Sequence, residues 1–265
     1  MALPPPSPVA IALVTGASSG IGDQFARRLA ERGYRVVAVA RREDRLAALC
    51  EELGGSERAV AIGADLAVPE DRDRLAAEVT KLDGEVEILV NSAGFGVYEP
   101  FAESGREREL QQLRVDVEAV VDLMGRYLPG MVERGRGAII NMSSTSAFQP
   151  LPYNAGYGAA KAHVLSLSEA VNEEVKGSGV TVTAVCPGPV ATEFQEVNDA
   201  EFASKLPKLA WVSAERVATD ALKAAERGKR SVVPGGPQVK ASFVPSRITP
   251  AAISIAVAKR LMAKR

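Results

Sequence analysis

Short apolar runs alternate along this chain with longer stretches in which apolar positions recur every three or four residues. The runs are Val9–Val14, Arg35–Ala40, Ala59–Gly63, Glu87–Val90, Gly137–Asn141, Val180–Val185 and Ser231–Val233, each of strand length. Between them lie six helical patterns: Gly20–Arg32, Glu43–Leu53, Pro69–Leu82, Arg106–Arg134, Ala155–Lys176 and Ala214–Arg227. Strands that are apolar throughout are buried on both faces, and strict alternation with helices implies a parallel sheet. Right-handed crossovers then give an α/β fold, a doubly wound Rossmann-type sheet of about seven strands with helices on both faces. Ligands of such sheets bind at the carboxyl ends of the strands.

With neither a repeat nor a linker, residues 1–265 read as a single domain. Met1–Pro8, with four prolines, is expected to be a flexible tail and not a signal peptide. Residues 193–211 depart from the alternation, as does a C-terminal extension, 234–265, whose helical pattern Ala251–Lys264 ends in Lys259, Arg260, Lys264 and Arg265. That helix is expected to pack on the domain or on a second subunit.

Composition narrows the function. A net charge of −1 offers no field for nucleic acid. No apolar stretch reaches the ~18 residues of a membrane span. Cys50 and Cys186 are far apart and form no metal or disulfide pattern, so a reducing cytoplasmic setting and no metal are expected. His163, the only histidine, stands two residues after Lys161 and so points away from that residue's face.

Two segments carry chemistry. Thr15-Gly16-Ala17-Ser18-Ser19-Gly20-Ile21-Gly22 joins the first strand to the first helix. Glycines let the backbone approach a pyrophosphate, and the helix N-terminus presents N–H groups and a positive dipole end to it. In the second, Tyr157 and Lys161 lie at i and i+4 on one helical face, with Ser144 thirteen residues before the tyrosine. A phenol of pKa about 10 must fall by roughly 3 units, about 4 kcal/mol, to exchange protons easily near neutrality. A cation about 4 Å away at an effective dielectric near 20 supplies energy of that order.

The glycine spacing T-G-x-x-x-G-x-G, the Tyr157-x-x-x-Lys161 pair and their order resemble the short-chain dehydrogenase/reductase family from about Val9 to Thr192. Asp65-Leu66 stands where the family sets an acid near an adenine ring. Asn91-Ser92-Ala93-Gly94 looks like its N-N-A-G element, and Pro187-Gly188-Pro189-Val190-Ala191-Thr192 like its P-G element beside the nicotinamide. The resemblance implies hydride transfer between a nicotinamide cofactor and a carbonyl or alcohol carbon. Tyr157 would be the acid–base, Lys161 would lower its pKa, and Ser144 would bond the substrate oxygen. Asp116 occupies a position where the family commonly has asparagine; the alternative it raises is a cofactor-binding sensor or scaffold without turnover. The resemblance also implies that residues 193–211 lie over the substrate, and a homodimer or homotetramer built through the two long central helices.

The second strand ends in Ala40-Arg41-Arg42. An acid at its end would hold ribose hydroxyls and repel a 2′-phosphate; here Arg41, supported by Arg42 or Ser18, can bond one. NADP(H) is therefore expected over NAD(H). A largely apolar lining from Phe95–Val97, Phe148–Tyr153 and 193–209 suits a lipophilic ketone or aldehyde.

Overall fold

The computed structural model describes residues 3–7, 9–194, 211–236, 239 and 249–262. Its strands are β1 (Ala10–Thr15), β2 (Arg35–Ala40), β3 (Ala59–Gly63), β4 (Glu85–Asn91), β5 (Gly137–Met142), β6 (Val180–Val185) and β7 (Ser231–Val232). They form one parallel seven-stranded sheet in the order β3-β2-β1-β4-β5-β6-β7. The helices are α1 (Gly20–Glu31), α2 (Glu43–Glu52), α3 (Pro69–Thr80), α4 (Arg106–Leu113), α5 (Ala119–Glu133), α6 (Ala155–Glu174), α7 (Ala214–Glu226) and α8 (Ala251–Met262). This is the Rossmann-type arrangement that the alternation predicts.

Side chains of a strand alternate between its faces, and the core divides accordingly. Ala12 and Val14 of β1 pack with Phe25 and Leu29 of α1, Leu46 of α2, and Val217 and Leu222 of α7. Ile11 and Leu13, one register position away, pack with Leu75 of α3, Leu123 and Met124 of α5, and Val164 of α6. The strand order reverses between β1 and β4, which opens the crevice at their carboxyl ends. Thr15 Oγ1 closes the floor of that crevice. It donates to the Val90 carbonyl at 3.3 Å and accepts from the Ser92 and Ala93 amides at 3.0 and 3.1 Å.

Two expectations are corrected. The proline lead is not a free tail over residues 3–7. Leu3 joins the core, the Tyr34 hydroxyl donates to the Pro4 carbonyl, and Ala10 N–H donates to the Ser7 carbonyl at 3.0 Å. The prolines hold an extended path that α1 and β2 can line. The long helix Arg106–Arg134 is also interrupted, by a π-helical turn, Arg114–Glu118, between α4 and α5. Its wider turn, an arrangement found often at functional sites, carries Asp116 fully inside.

Most of the 193–211 segment lies outside the described residues, as do parts of 234–265. On α8, Ala258 is buried, whereas Ile253, Ile255 and Val257 are exposed. No helix among the described residues is long and apolar enough to cross a membrane.

Candidate active site

The described residues of the glycine turn, the strand-end elements and the Ser144–Tyr157–Lys161 group fall along the carboxyl edge of the sheet or on the helices facing it. Gly16, Ser18, Ser19, Gly20, Ile21 and Gly22 form the turn from β1 into α1. Gly16 has φ +68°, and a Cβ built on it would stand 2.8 Å from the Ala93 nitrogen; the turn therefore rests directly on the end of β4. Gly20, at φ +59°, faces the Thr192 methyl across the crevice, with 3.1 Å between it and a built Cβ. Ser19 takes the N-cap position of α1 without capping it. Its hydroxyl instead bonds Arg42 Nη2 at 2.8 Å. The outward N–H groups of the first turn are thus left to solvent or a ligand.

Arg42, not Arg41, is the arginine drawn to the glycine turn. Its Nε and Nη2 donate to Ser18 Oγ at 3.2 and 3.0 Å, while Arg41 is exposed. Position 42 is the N-cap of α2, at φ −90° and ψ 88°. Asp65 and Leu66 end β3 in a tight turn: Asp65 Oδ1 accepts from the Ala67 amide at 3.0 Å, and the Leu66 carbonyl accepts from Arg72. The Asn91 side chain does not serve the crevice. Its amide donates to Asn141 Oδ1 at 2.8 Å, and Asn141 donates to Ser168 Oγ at 2.9 Å, so both asparagines are absorbed between strands and α6.

Three hydroxyls follow β5, and their bonds separate their roles. Ser143 Oγ donates to the Lys161 carbonyl at 2.8 Å, and Thr145 Oγ1 to the Pro187 carbonyl at 3.2 Å. Ser144 Oγ accepts from the Ser146 amide at 3.1 Å, and Ser144 draws the Tyr157 phenol's proton affinity down. Ser144 is therefore the hydroxyl that shares a site with Tyr157. Pro187, Gly188 and Val190 continue from β6 along the same edge, and Val190 is fixed by a bridge to Val212.

On α6, Tyr157 and Lys161 are both buried, with Lys161 Nζ 5.4 Å from the centre of the Tyr157 ring. Nζ donates to the Met142 carbonyl at 3.1 Å and lies 3.5 Å from Asp116 Oδ1. The same oxygen accepts from the Phe95 amide at 3.3 Å. A Cβ on Gly94 would stand 3.1 Å from Nζ, so that glycine leaves room for the pair. Burial pushes the Asp116 carboxyl above its ordinary value, with Lys161 pulling it back.

Burial pushes the Tyr157 phenol well above its ordinary value, and the neighbouring Tyr98 and Asp116 push it the same way. Ser144 acts in the opposite sense, drawing the phenol down. Tyr98, Asn154 and two residues of the anticipated 193–211 segment complete the site. The Tyr98 ring stands 6.4 Å from the Tyr157 ring, and Asn154 acts on its phenol to lower its proton affinity against the effect of burial. Asn154 is preceded by Tyr153, whose positive φ of 66° is uncommon for a residue with a side chain. Phe194 stands 5.8 Å from Tyr157 on another side, and Glu193 pairs with Arg42 and Arg45. An aromatic residue among the lining segments was the available signal for Tyr98; nothing local to Glu193 points to its partners.

Comparison with known proteins agrees with this geometry. A family model described as short chain dehydrogenase matches residues 10–202. An NADP-dependent 3-hydroxy acid dehydrogenase of Salmonella typhi is 36% identical over 189 residues, covering 71% of this chain and 75% of that one. A short-chain dehydrogenase from Sphingobium yanoikuyae in complex with NADPH superposes with a TM-score of 0.78 at 30% identity, over 97% of this chain and 96% of its own. A 7β-hydroxysteroid dehydrogenase superposes at 0.82 with 25% identity, over 94% and 96%. With the family match spanning most of the sheet and the crevice it opens, the chain belongs to the short-chain dehydrogenase/reductase family of oxidoreductases.

Proposed function

We propose that this oxidoreductase reduces a ketone or aldehyde with NADPH, or oxidises the matching alcohol with NADP⁺, and that Tyr157 is its acid–base group. The observation that carries the reading is the buried Tyr157 phenol with Lys161 Nζ 5.4 Å from its ring on the same helix face, beside buried Ser144 at the end of β5. The residues fit a dinucleotide. The uncapped first turn of α1 and the close-packed Gly16 and Gly20 make a cradle for a pyrophosphate. Ser18, Ser19 and Arg42 stand together where β2 ends in Ala40, which supports reading of a 2′-phosphate. Arg41, exposed beside them, is available to the same phosphate. The Asp65-Leu66 turn would border the adenine, and Ala93, Gly94, Pro187, Gly188, Val190 and Thr192 the nicotinamide half. Asn91 would contribute through its main chain.

Bound there, the dinucleotide supplies or accepts the hydride. The chain's part is to orient the carbonyl oxygen between Ser144 and Tyr157 and to deliver the phenolic proton as charge develops on that oxygen. The Lys161 ammonium, bonded to the Met142 carbonyl, stabilises the phenolate left behind. A phenol held above its ordinary value is protonated in the free protein, ready to donate when the reaction runs as a reduction. Tyr98, Phe194 and Leu151 line the approach with aromatic and apolar surface, in keeping with a lipophilic substrate; the structural relative named as a 7β-hydroxysteroid dehydrogenase supports that class.

Replacing Tyr157 by Phe tests the reading. Turnover of ketones with NADPH should fall by at least about a thousandfold, with NADPH binding preserved in a fluorescence titration. Retained turnover would remove Tyr157 from the mechanism, and preferential NADH binding would remove the phosphate argument. The Asp116–Lys161 pair at 3.5 Å favours one alternative, a cofactor-binding sensor without turnover; a wild-type chain that binds NADPH and reduces no ketone or aldehyde would establish it. We also propose self-association through α4, α5 and α6, where Leu113, Val121 and Val132 are exposed on the single chain. Light scattering reports the mass directly.

A further inference from the structure

Glu193 and Phe194 are neighbours in sequence and reach toward the two ends of the candidate site. Glu193 Oε2 lies 2.8 Å from Arg42 Nη1, and its Oε1 lies 2.6 Å from Arg45 Nη1. Arg42 directs its remaining nitrogens, Nε and Nη2, at Ser18 and Ser19. Its donors are therefore divided between the glycine turn and a carboxylate that belongs to the chain itself. Next to that carboxylate, the Phe194 ring leans on Tyr157, with centroids 5.8 Å apart and planes tilted by 52°. The Phe194 amide is held by Thr192 Oγ1 at 3.3 Å.

A carboxylate and a phosphate monoester present the same pair of oxygens to a guanidinium. An anion entering beside Ser18 meets Arg42 already engaged through Nη1. The two arginines hold the Glu193 carboxyl down to about 2, so the competing charge persists across the working pH range. Consecutive Cα atoms are only about 3.8 Å apart, so a dianion that repels Glu193 also displaces the start of Phe194.

We propose that Glu193 is a built-in competitor for the 2′-phosphate on Arg42, and that a phosphate taking its place releases the Glu193–Phe194 step from Tyr157. The inference rests on the NADP(H) reading above. It makes Glu193 a specificity-determining residue with two effects. It weakens binding of every 2′-phosphorylated ligand, and it links occupancy of the phosphate site to exposure of Tyr157. A dinucleotide without the 2′-phosphate leaves the Arg42–Glu193 pair and the Phe194 contact in place.

The test uses adenosine 2′,5′-bisphosphate and adenosine 5′-monophosphate, which carry the relevant end of each dinucleotide and no reactive ring. Both are titrated calorimetrically into the wild-type protein and Glu193→Gln. The pair that competes on Arg42 is exposed and therefore weak, so the variant should bind the bisphosphate about 2- to 5-fold more tightly. Its affinity for the monophosphate should stay within about twofold. Hydrogen exchange over residues 190–194 should rise when the wild-type protein takes up the bisphosphate and not the monophosphate; in Glu193→Gln it should be high from the start. If wild type does not prefer the bisphosphate, the NADP(H) reading fails and the inference with it. If wild type prefers it and Glu193→Gln gains no affinity, or loses some, the competitor role alone is overturned. Exchange over residues 190–194 that ignores the bisphosphate overturns the link to Tyr157.

Discussion

Gly16→Ala separates two reasons for glycine at one position, and Gly55→Ala provides the control. Both residues have positive φ, +68° and +74°. An L side chain in that region costs roughly 1–2 kcal/mol, and both variants incur this cost. They differ in what the new methyl meets. At Gly55 nothing lies within 4 Å of it. At Gly16 it meets the Ala93 nitrogen at 2.8 Å, the Ala93 Cα at 2.9 Å and the Ser92 carbonyl carbon at 3.0 Å. All three are backbone atoms tied to Thr15 Oγ1 through the Ser92 and Ala93 amides, so they cannot yield as a side chain would. Overpacking against such a wall costs roughly a further 1–3 kcal/mol. Gly16→Ala should therefore lose about 2–5 kcal/mol and Gly55→Ala about 1–2, from a total near 5–15. Urea denaturation of the three proteins gives the difference directly. Cofactor binding adds a second readout, since only the Gly16 methyl pushes the turn away from the end of β4. If Gly16→Ala were no less stable than Gly55→Ala, the close approach of turn and strand would be wrong.

Asp116→Asn removes a charge that raises the Tyr157 phenol, so the phenol's value should fall and the tyrosine-dependent limb of the kcat/KM–pH profile should move to lower pH; a limb that stays or climbs would refute the electrostatic account. The native Asp116 carboxyl holds its proton more tightly than the unfolded chain does. Its stabilising share is full below the unfolded value near 3.8 and fades as pH rises through the native value, so the variant should lose that downward slope in a pH series of urea melts. Arg72, buried and bonded to the Leu66 carbonyl, pairs with Glu118 and, at 2.6 Å, with Asp122. Both carboxylates can reach water, so Arg72→Ala should cost about 1–3 kcal/mol, short of the loss when a partner is stranded in the core. Tyr34→Phe deletes the bond to the Pro4 carbonyl, costing about 0.5–1.5 kcal/mol, and should speed proteolysis ahead of Ser7; unchanged cleavage would free the lead again.

The parts of the fold and site that the sequence made legible are those set by local periodicity. Strand and helix order follows from apolar spacing, and Tyr157 and Lys161 share a face because four residues nearly complete a helical turn. The glycine turn is legible for the same reason: its conformational demand sits in the residues that meet it. What escaped depends on contacts between distant segments. Composition made the first eight residues a tail, yet Leu3 and Pro4 find partners on the core and on Tyr34. A helical pattern cannot announce a single π turn, and that turn carries Asp116 to Lys161. Arg41 and Arg42 are the same residue type side by side, and it is the contacts of Arg42 with Ser18 and Ser19, far off in sequence, that distinguish them. Glu193 meets Arg42 across 151 positions of sequence, a separation at which no pattern operates.

The Ser144–Tyr157–Lys161 group could be expected from spacing, yet its electrostatics could not, and the reason is burial. An ammonium beside a phenol lowers its value only to the extent that the charge is not already balanced. Here the ammonium faces Asp116 at 3.5 Å while the phenol is enclosed by Tyr98 and Phe194. Desolvation, Tyr98 and the buried carboxylate then act together to raise the phenol. Anything that opens this enclosure admits water to the phenol and reduces the desolvation that raises it. Phe194 is the wall joined to Glu193, whose carboxylate is bound to the arginine nearest the glycine turn. The state of Arg42 at one end of the crevice and the proton affinity of Tyr157 at the other therefore act on a single two-residue step.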